Sequence, residues 1–142
     1  ALQSPRVPGR TLADEVAGLV SEATASLGFR PTLRLEGPVD HGVDDAIGAQ
    51  LLAVLREALS NVVRHAGASV VTVTVEVSGA ELITTVTDDG AGAGAGRRPG
   101  GNGLASLHHR AEALGGTLRL EAGANGRGTT VRWRVPLSPE GA

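Results

Sequence analysis

A chain of 142 residues with 41% apolar content can bury one core, and with one Trp, one Phe and no Tyr that core must be aliphatic. A net charge of −2 gives no electrostatic case for DNA, RNA or an anionic membrane as partner, and no apolar run approaches the ~20 residues that span a bilayer. Cysteine and lysine are both absent, all 13 basic residues being arginine, which excludes disulfides, zinc–thiolate sites, thiol catalysis, P-loop lysines and Schiff-base lysines.

Residues 1–10, with Pro5, Pro8 and Gly9, show little periodicity and no signal-peptide pattern, and read as a linker. Thr11 then offers an N-cap with Asp14 three residues on, and Leu12, Val16, Leu19, Val20, Ala23 and Leu27 form a helical stripe that Gly28 stops. Pro31 to Glu36 alternates like a strand, with Leu33 and Leu35 on one face, before a Gly37-Pro38 turn. Asp44 or Asp45 starts a long helix that Gly67 ends, with Leu51, Leu55, Leu59, Val62 and Ala66 gathered on one side.

Ser69 to Val77 is the cleanest strand, its valines at 71, 73, 75 and 77 alternating with Thr72, Thr74 and Glu76. Ser78-Gly79 turns the chain into a second strand, Glu81 to Asp88, on which Leu82, Val86 and Asp88 share a face. Asp89 to Gly101 has no apolar residue larger than Ala and reads as a mobile loop. Gly103 to Leu114 returns to helical spacing and stops at Gly115-Gly116. Thr117 to Ala122 and Thr129 to Pro136 are two more strands, with Val131, Trp133 and Val135 inward and Arg132 and Arg134 outward. The order predicts an α+β two-layer sandwich, with a mixed, largely antiparallel sheet and helices on one face, rather than a doubly wound fold. One domain, residues 11–137, lies between short tails at 1–10 and 138–142.

Three stretches carry chemistry. On the long helix, Glu57, Asn61, Arg64 and His65 fall within roughly 100° on the side away from the apolar stripe. Oxygens at one end suit a hard cation and donors at the other suit anionic oxygens, although a solvated helix face explains the stripe equally well. Asp88-Asp89-Gly90-Ala91-Gly92 is a D-x-G-x-G pattern after a strand: the glycines admit backbone close to a planar ligand, and the carboxylate can accept from an exocyclic amine. The alternative is that Asp88 only caps its turn. Gly100-Gly101-Asn102-Gly103-Leu104 opens a helix, whose free N–H groups suit phosphate oxygens or form an ordinary flexible turn.

In this order and spacing, E-x-x-x-N-x-x-R-H, D-x-G-x-G, a glycine loop and G-x-G-L resemble the GHKL (Bergerat-fold) ATPases. Within these the chain is similar to the catalytic ATP-binding domain of a NarL-partnered sensor histidine kinase, with the actinobacterial haem-based oxygen and redox sensor kinases as look-alikes. The likeness covers residues 44–137 and includes Gly103-Leu104-Ala105-Ser106-Leu107, Arg110, Leu114-Gly115-Gly116 and Gly126-Arg127-Gly128-Thr129.

The resemblance implies ATP and Mg²⁺, with Asn61 coordinating the metal that bridges the phosphates. Glu57 then orients a water or the incoming nucleophile, or else supports the metal's ligands. Arg64 and His65 face the phosphates, unless His65 simply favours the helix end. Asp88 reads the adenine amine, Gly90 and Gly92 lie beneath the ring, Gly101 and Gly103 cradle phosphate oxygens beside Leu104, and Thr129 supports Asp88. Arg97 and Arg98 read as solvated loop charges, and His108 and His109 as surface residues. Three features depart from the family pattern: Ala93 replaces a bulky apolar residue, the loop lacks the phenylalanine-bearing segment of the classical kinases, as the subfamily does, and Leu107 replaces a frequent methionine. The first two leave the lid without an anchor.

His41 lacks the helical context of a phosphoacceptor. The resemblance therefore implies a cytoplasmic, monomeric fragment of a soluble or membrane-anchored parent. Its partners are an upstream dimerisation and phosphoacceptor domain and a NarL-type response regulator, with no nucleic acid. The alternatives are a non-catalytic nucleotide-binding or docking module and a GHKL ATPase that hydrolyses ATP with Glu57 activating water. An anti-sigma-factor serine kinase is disfavoured by Glu57 at the head of the stripe.

Overall fold

The computed structural model describes residues 9–65, 67–90, 102–122 and 128–137. Eight elements follow in chain order: α1 (Leu12–Leu27), β1 (Thr32–Glu36), α2 (Asp45–His65), β2 (Val71–Ser78), β3 (Glu81–Asp88), α3 (Asn102–Ala113), β4 (Thr117–Ala122) and β5 (Thr129–Pro136). The helix ends are written in the sequence. Thr11 Oγ1 accepts the Asp14 N–H at 3.0 Å and Asp44 Oδ1 accepts that of Ile47 at 2.9 Å, so Asp44 rather than Asp45 caps α2. Gly28 closes α1 at φ 85°, its N–H donating to Thr24 O. Gly115 and Gly116 close α3 by donating to Glu112 O and Ala111 O.

The five strands form one sheet in the order β1-β2-β3-β5-β4. β1 runs parallel to β2 at one edge, and the remaining pairs are antiparallel. This is the expected α+β sandwich with a mixed sheet. Val71, Val73, Val75 and Val77 on β2 lie opposite Asp88, Val86, Thr84 and Leu82 on β3, and all eight are buried. Trp133 and Val135 of β5 continue that face, which meets Val16 and Val20 of α1, Leu51, Leu55 and Leu59 of α2 and Leu107 and Ala111 of α3. The opposite face is polar, with Arg132 beside Glu121 at 3.7 Å and Arg134 beside Glu81 at 3.3 Å. At the edge, the inward pair of β1 is less covered than the alternation suggests. Leu33 is half-buried and Leu35 is 39% exposed, because among the described residues no strand lies beyond β1.

α2 is more apolar than the lack of a long uninterrupted apolar run suggests. Asp45–Arg64 has a mean hydropathy of 1.3 and is long enough to cross a bilayer. Here its apolar side, from Leu51 to Val62, is the middle of the core. Residues 91–101 of the loop expected from Asp89 to Gly101, the turn residues 123–127 and Ala66 lie outside the described residues, as do 1–8 and 138–142.

Candidate functional site

The sheet register brings three segments to one end of the molecule. Val71 at the start of β2, Asp88 at the end of β3 and Thr129 at the start of β5 form one row across the sheet. α2 enters this end from the helix layer, since only five residues separate His65 from Val71. α3 begins there too. Its C-terminus leads through Gly115-Gly116 into Thr117, which pairs with Arg134 at the far end of β5, so Asn102 lies back toward the row of Asp88.

Asp88 sits on the core face with 8% of its surface exposed. Its Oδ1 accepts the Gly90 N–H at 2.8 Å, so the capping alternative is real but occupies one oxygen only. Burial pushes its carboxyl above the usual range; the Gly90 N–H opposes this and the neighbouring charge of Asp89 adds to it. Among the described residues no donor meets the other oxygen of Asp88, which is left open to a ligand's donor. Asp89 points elsewhere: its Oδ1 accepts the N–H groups of Ser69 at 2.7 Å and Val70 at 2.9 Å. Those bonds, Val70's first, hold its carboxyl below the usual range.

Gly128 is a residue whose reason the sequence did not show. It has φ 79°, and a Cβ there would lie 2.5 Å from Asp88 O. Its N–H also donates to Gly90 O at 3.0 Å. Thr129 lies directly opposite Asp88 and is half-buried. One residue further from the edge of the row, Thr87 and Thr130 join hydroxyls at 3.1 Å on the outer face.

On α2, three residues of the expected stripe, Glu57, Asn61 and Arg64, lie together. Arg64 Nη2 donates to Asn61 Oδ1 at 3.4 Å and lies 3.8 Å from Glu57 Oε2. Glu57 and Asn61 are half-buried while Arg64 is exposed. The guanidinium rests on two oxygens that a cation would otherwise attract, in an open setting where such pairs are weak and readily exchanged. α3 is tied to α2 by Arg110, which donates to Gln50 Oε1 at 2.7 Å. Leu104 is half-buried on the first turn of α3. His108 and His109 are exposed, His108 lying 3.2 Å from Glu112. Gly103 lies in the first turn of α3. The side chain of His65, and all of Gly92 and Gly101, fall outside the description.

The donor set fits a metal held chiefly by its substrate. Among the described residues no cluster of three His, Asp or Glu side chains is placed to hold a metal ion. Mg²⁺ characteristically keeps its waters and takes few protein ligands besides substrate phosphates, so a carboxamide such as Asn61 with a nearby carboxylate is adequate. The free acceptor of Asp88 likewise fits an amine-bearing base.

Comparison with known proteins identifies the family. The model of the histidine kinase-, DNA gyrase B- and HSP90-like ATPases matches residues 47–139. Sensor histidine kinase NarS of Mycobacterium tuberculosis is 35% identical over 123 residues, covering 83% of this chain and 28% of that protein. Sensor histidine kinase LiaS of Bacillus subtilis is 35% identical over 103 residues, covering 72% of this chain and 27% of that protein. The chain thus spans little more than a quarter of the curated relatives it matches. The histidine kinase domain of the Erythrobacter litoralis EL346 blue-light activated kinase superposes with a TM-score of 0.71 at 22% identity. That match covers 99% of this chain and 67% of the solved one, a likeness of fold.

Proposed function

The chain belongs to the histidine kinase-, DNA gyrase B- and HSP90-like ATPases, and from that membership we propose that it is the ATP-binding catalytic domain of a sensor histidine kinase. In this role it binds Mg-ATP and presents the γ-phosphoryl group to a histidine on a dimerisation domain elsewhere in the parent protein. The phosphoryl group then passes to a response regulator, of the NarL type by resemblance. Such a catalytic domain works on the cytoplasmic side. The observation that carries the proposal is Asp88: a buried carboxylate with one oxygen satisfied and, among the described residues, one free, at the end of a strand, beside a glycine-only contact.

The part proposed for each residue is the one the family pattern implies, with Gly92, Gly101 and the His65 side chain lying outside the described residues. Asp88 accepts the exocyclic amine of adenine while the Gly90 N–H fixes its rotation. Gly90 and Gly92 leave room for the ring, and Thr129 backs the carboxylate from β5. Gly101 and Gly103, with Leu104, bring N–H groups of the α3 start to the phosphates. Mg²⁺, when bound, would neutralise phosphate charge, and Asn61 is the residue that would hold it. Arg64 adds positive charge toward the phosphates, swinging from its weak contacts with Asn61 and Glu57, and His65 faces the phosphates beside it. Glu57 orients the incoming nucleophile from the same helix face. No protein nucleophile is needed, because phosphoryl transfer depends on alignment and charge stabilisation.

The test is phosphotransfer in trans. Supplied with a separate dimerisation domain from the parent protein, the chain and Mg-ATP should yield acid-labile phosphohistidine. ATP hydrolysis without any phosphohistidine would favour the hydrolase alternative instead. Nucleotide binding with neither reaction would favour the docking module.

A further inference from the structure

Asp89 makes more contacts than its place in a glycine-rich turn requires. Its Oδ1 accepts two consecutive main-chain N–H groups, those of Ser69 and Val70, and its own N–H donates to Val70 O at 3.2 Å. The β2–β3 ladder ends at the pair Val71 and Asp88, so these three bonds extend the join beyond the last ladder pair. Ser69 and Val70 belong to the short connection that leads from α2 into β2, only four residues after His65. Gly90, on the other side, is held by Gly128 through its carbonyl. The end of β3 is thereby gripped from β5 by a backbone contact and from the α2–β2 connection by one carboxylate oxygen and one main-chain bond.

We propose that Asp89 is a positioning residue that sets the span between the base-reading carboxylate of Asp88 and the phosphate-facing stripe of α2. The inference rests on the nucleotide site proposed above. A rigid tie matters here because ATP would touch both sides at once, so a small shift in the span costs alignment at one end or the other. A ligand that reaches only the base side does not sense the span. Both N–H groups converge on one oxygen, so Asn retains the acceptor and Ala removes it. A charged acceptor makes the stronger bonds, so Asn is a slightly weaker tie rather than none.

The experiment compares the wild-type chain with Asp89→Asn, Asp89→Ala and Asp88→Asn. Mg-ATP binding is measured by calorimetry and adenosine binding by NMR titration, with amide hydrogen exchange followed at Ser69 and Val70. Asp89→Ala should lower Mg-ATP affinity about tenfold or more, lower adenosine affinity by less than about twofold, and lose protection at both amides. Asp89→Asn should bind Mg-ATP within about threefold of wild type and keep that protection. Equal losses for both ligands in Asp89→Ala, no loss for either, or failure of Asn to restore binding would overturn the proposal. Should Asp89→Ala not fold, the Asn variant decides: a tenfold loss of Mg-ATP affinity with both amides still protected would sink it. Wild-type affinity for both ligands in Asp88→Asn would instead remove the nucleotide site on which the inference stands.

Discussion

Replacing Asp88 with Asn separates what this residue does for binding from what it costs the fold. Gly90 can still donate to the remaining oxygen at the position where it now lies 2.8 Å from Oδ1, so the local turn survives. The new amide, however, presents a donor to the donor of an adenine amine. The lost hydrogen bond to a charged acceptor contributes about 1.5–3 kcal/mol, and buried donors left facing each other cost about 1–3 kcal/mol more. Together these correspond to a fall in affinity of roughly 100-fold to 10,000-fold. The unliganded domain should move the other way. Asp88 is 8% exposed and burial raises its pKa, so its charge destabilises the empty fold at neutral pH.

The sign of the pH dependence follows from linkage. A carboxyl whose pKa is raised on folding is protonated more readily in the folded chain than in the unfolded one. The penalty is therefore full above the raised value and relieved as pH falls through it. Asp88→Asn should melt at or above the wild-type temperature at pH 7, and the advantage should shrink toward acid pH. Calorimetric titration with Mg-ATP and melting curves across pH supply both readouts. Unchanged affinity would refute the role of Asp88, and a lower melting temperature at pH 7 would refute the account of its burial.

Three further outcomes are expected. Asn61→Ala should leave affinity for metal-free ATP within about twofold while reducing the gain from Mg²⁺ about tenfold, since it removes the side-chain oxygen that would hold the metal; titrations with and without the metal check this. Gly128→Ala forces a side chain at φ 79° against Asp88 O and should cost about 2–4 kcal/mol, visible as a lower urea midpoint together with weaker ATP binding. Thr11→Ala removes the α1 cap and should cost about 1 kcal/mol without altering ATP affinity, which separates fold from site.

The elements were legible because their signals are local. The Thr11 cap, the Gly28 stop and the valine alternation of β2 each depend on a few adjacent residues, and each forms as read. The parity that put Asp88 on the core face was legible for the same reason. What escaped needs contacts between distant segments. Nothing near Ser69 announces that its N–H binds a carboxylate 20 positions on, which is also why the strand starts at Val71 and not Ser69. The demand for glycine at 128 arises from the backbone of Asp88 across the β3–β5 pair and had only a family likeness to suggest it. Likewise the greater exposure of Leu35 reflects its edge position, which alternation within one strand cannot reveal.

The convergence of the α2 stripe and the β3 end on one nucleotide is tested most directly by amide NMR of the chain titrated with a non-hydrolysable ATP analogue and Mg²⁺. Shifts should appear together, at one dissociation constant, for residues 57–65 on α2 and 88–90 after β3. Shifts confined to one of these segments, or the two moving with different constants, would contradict a shared site.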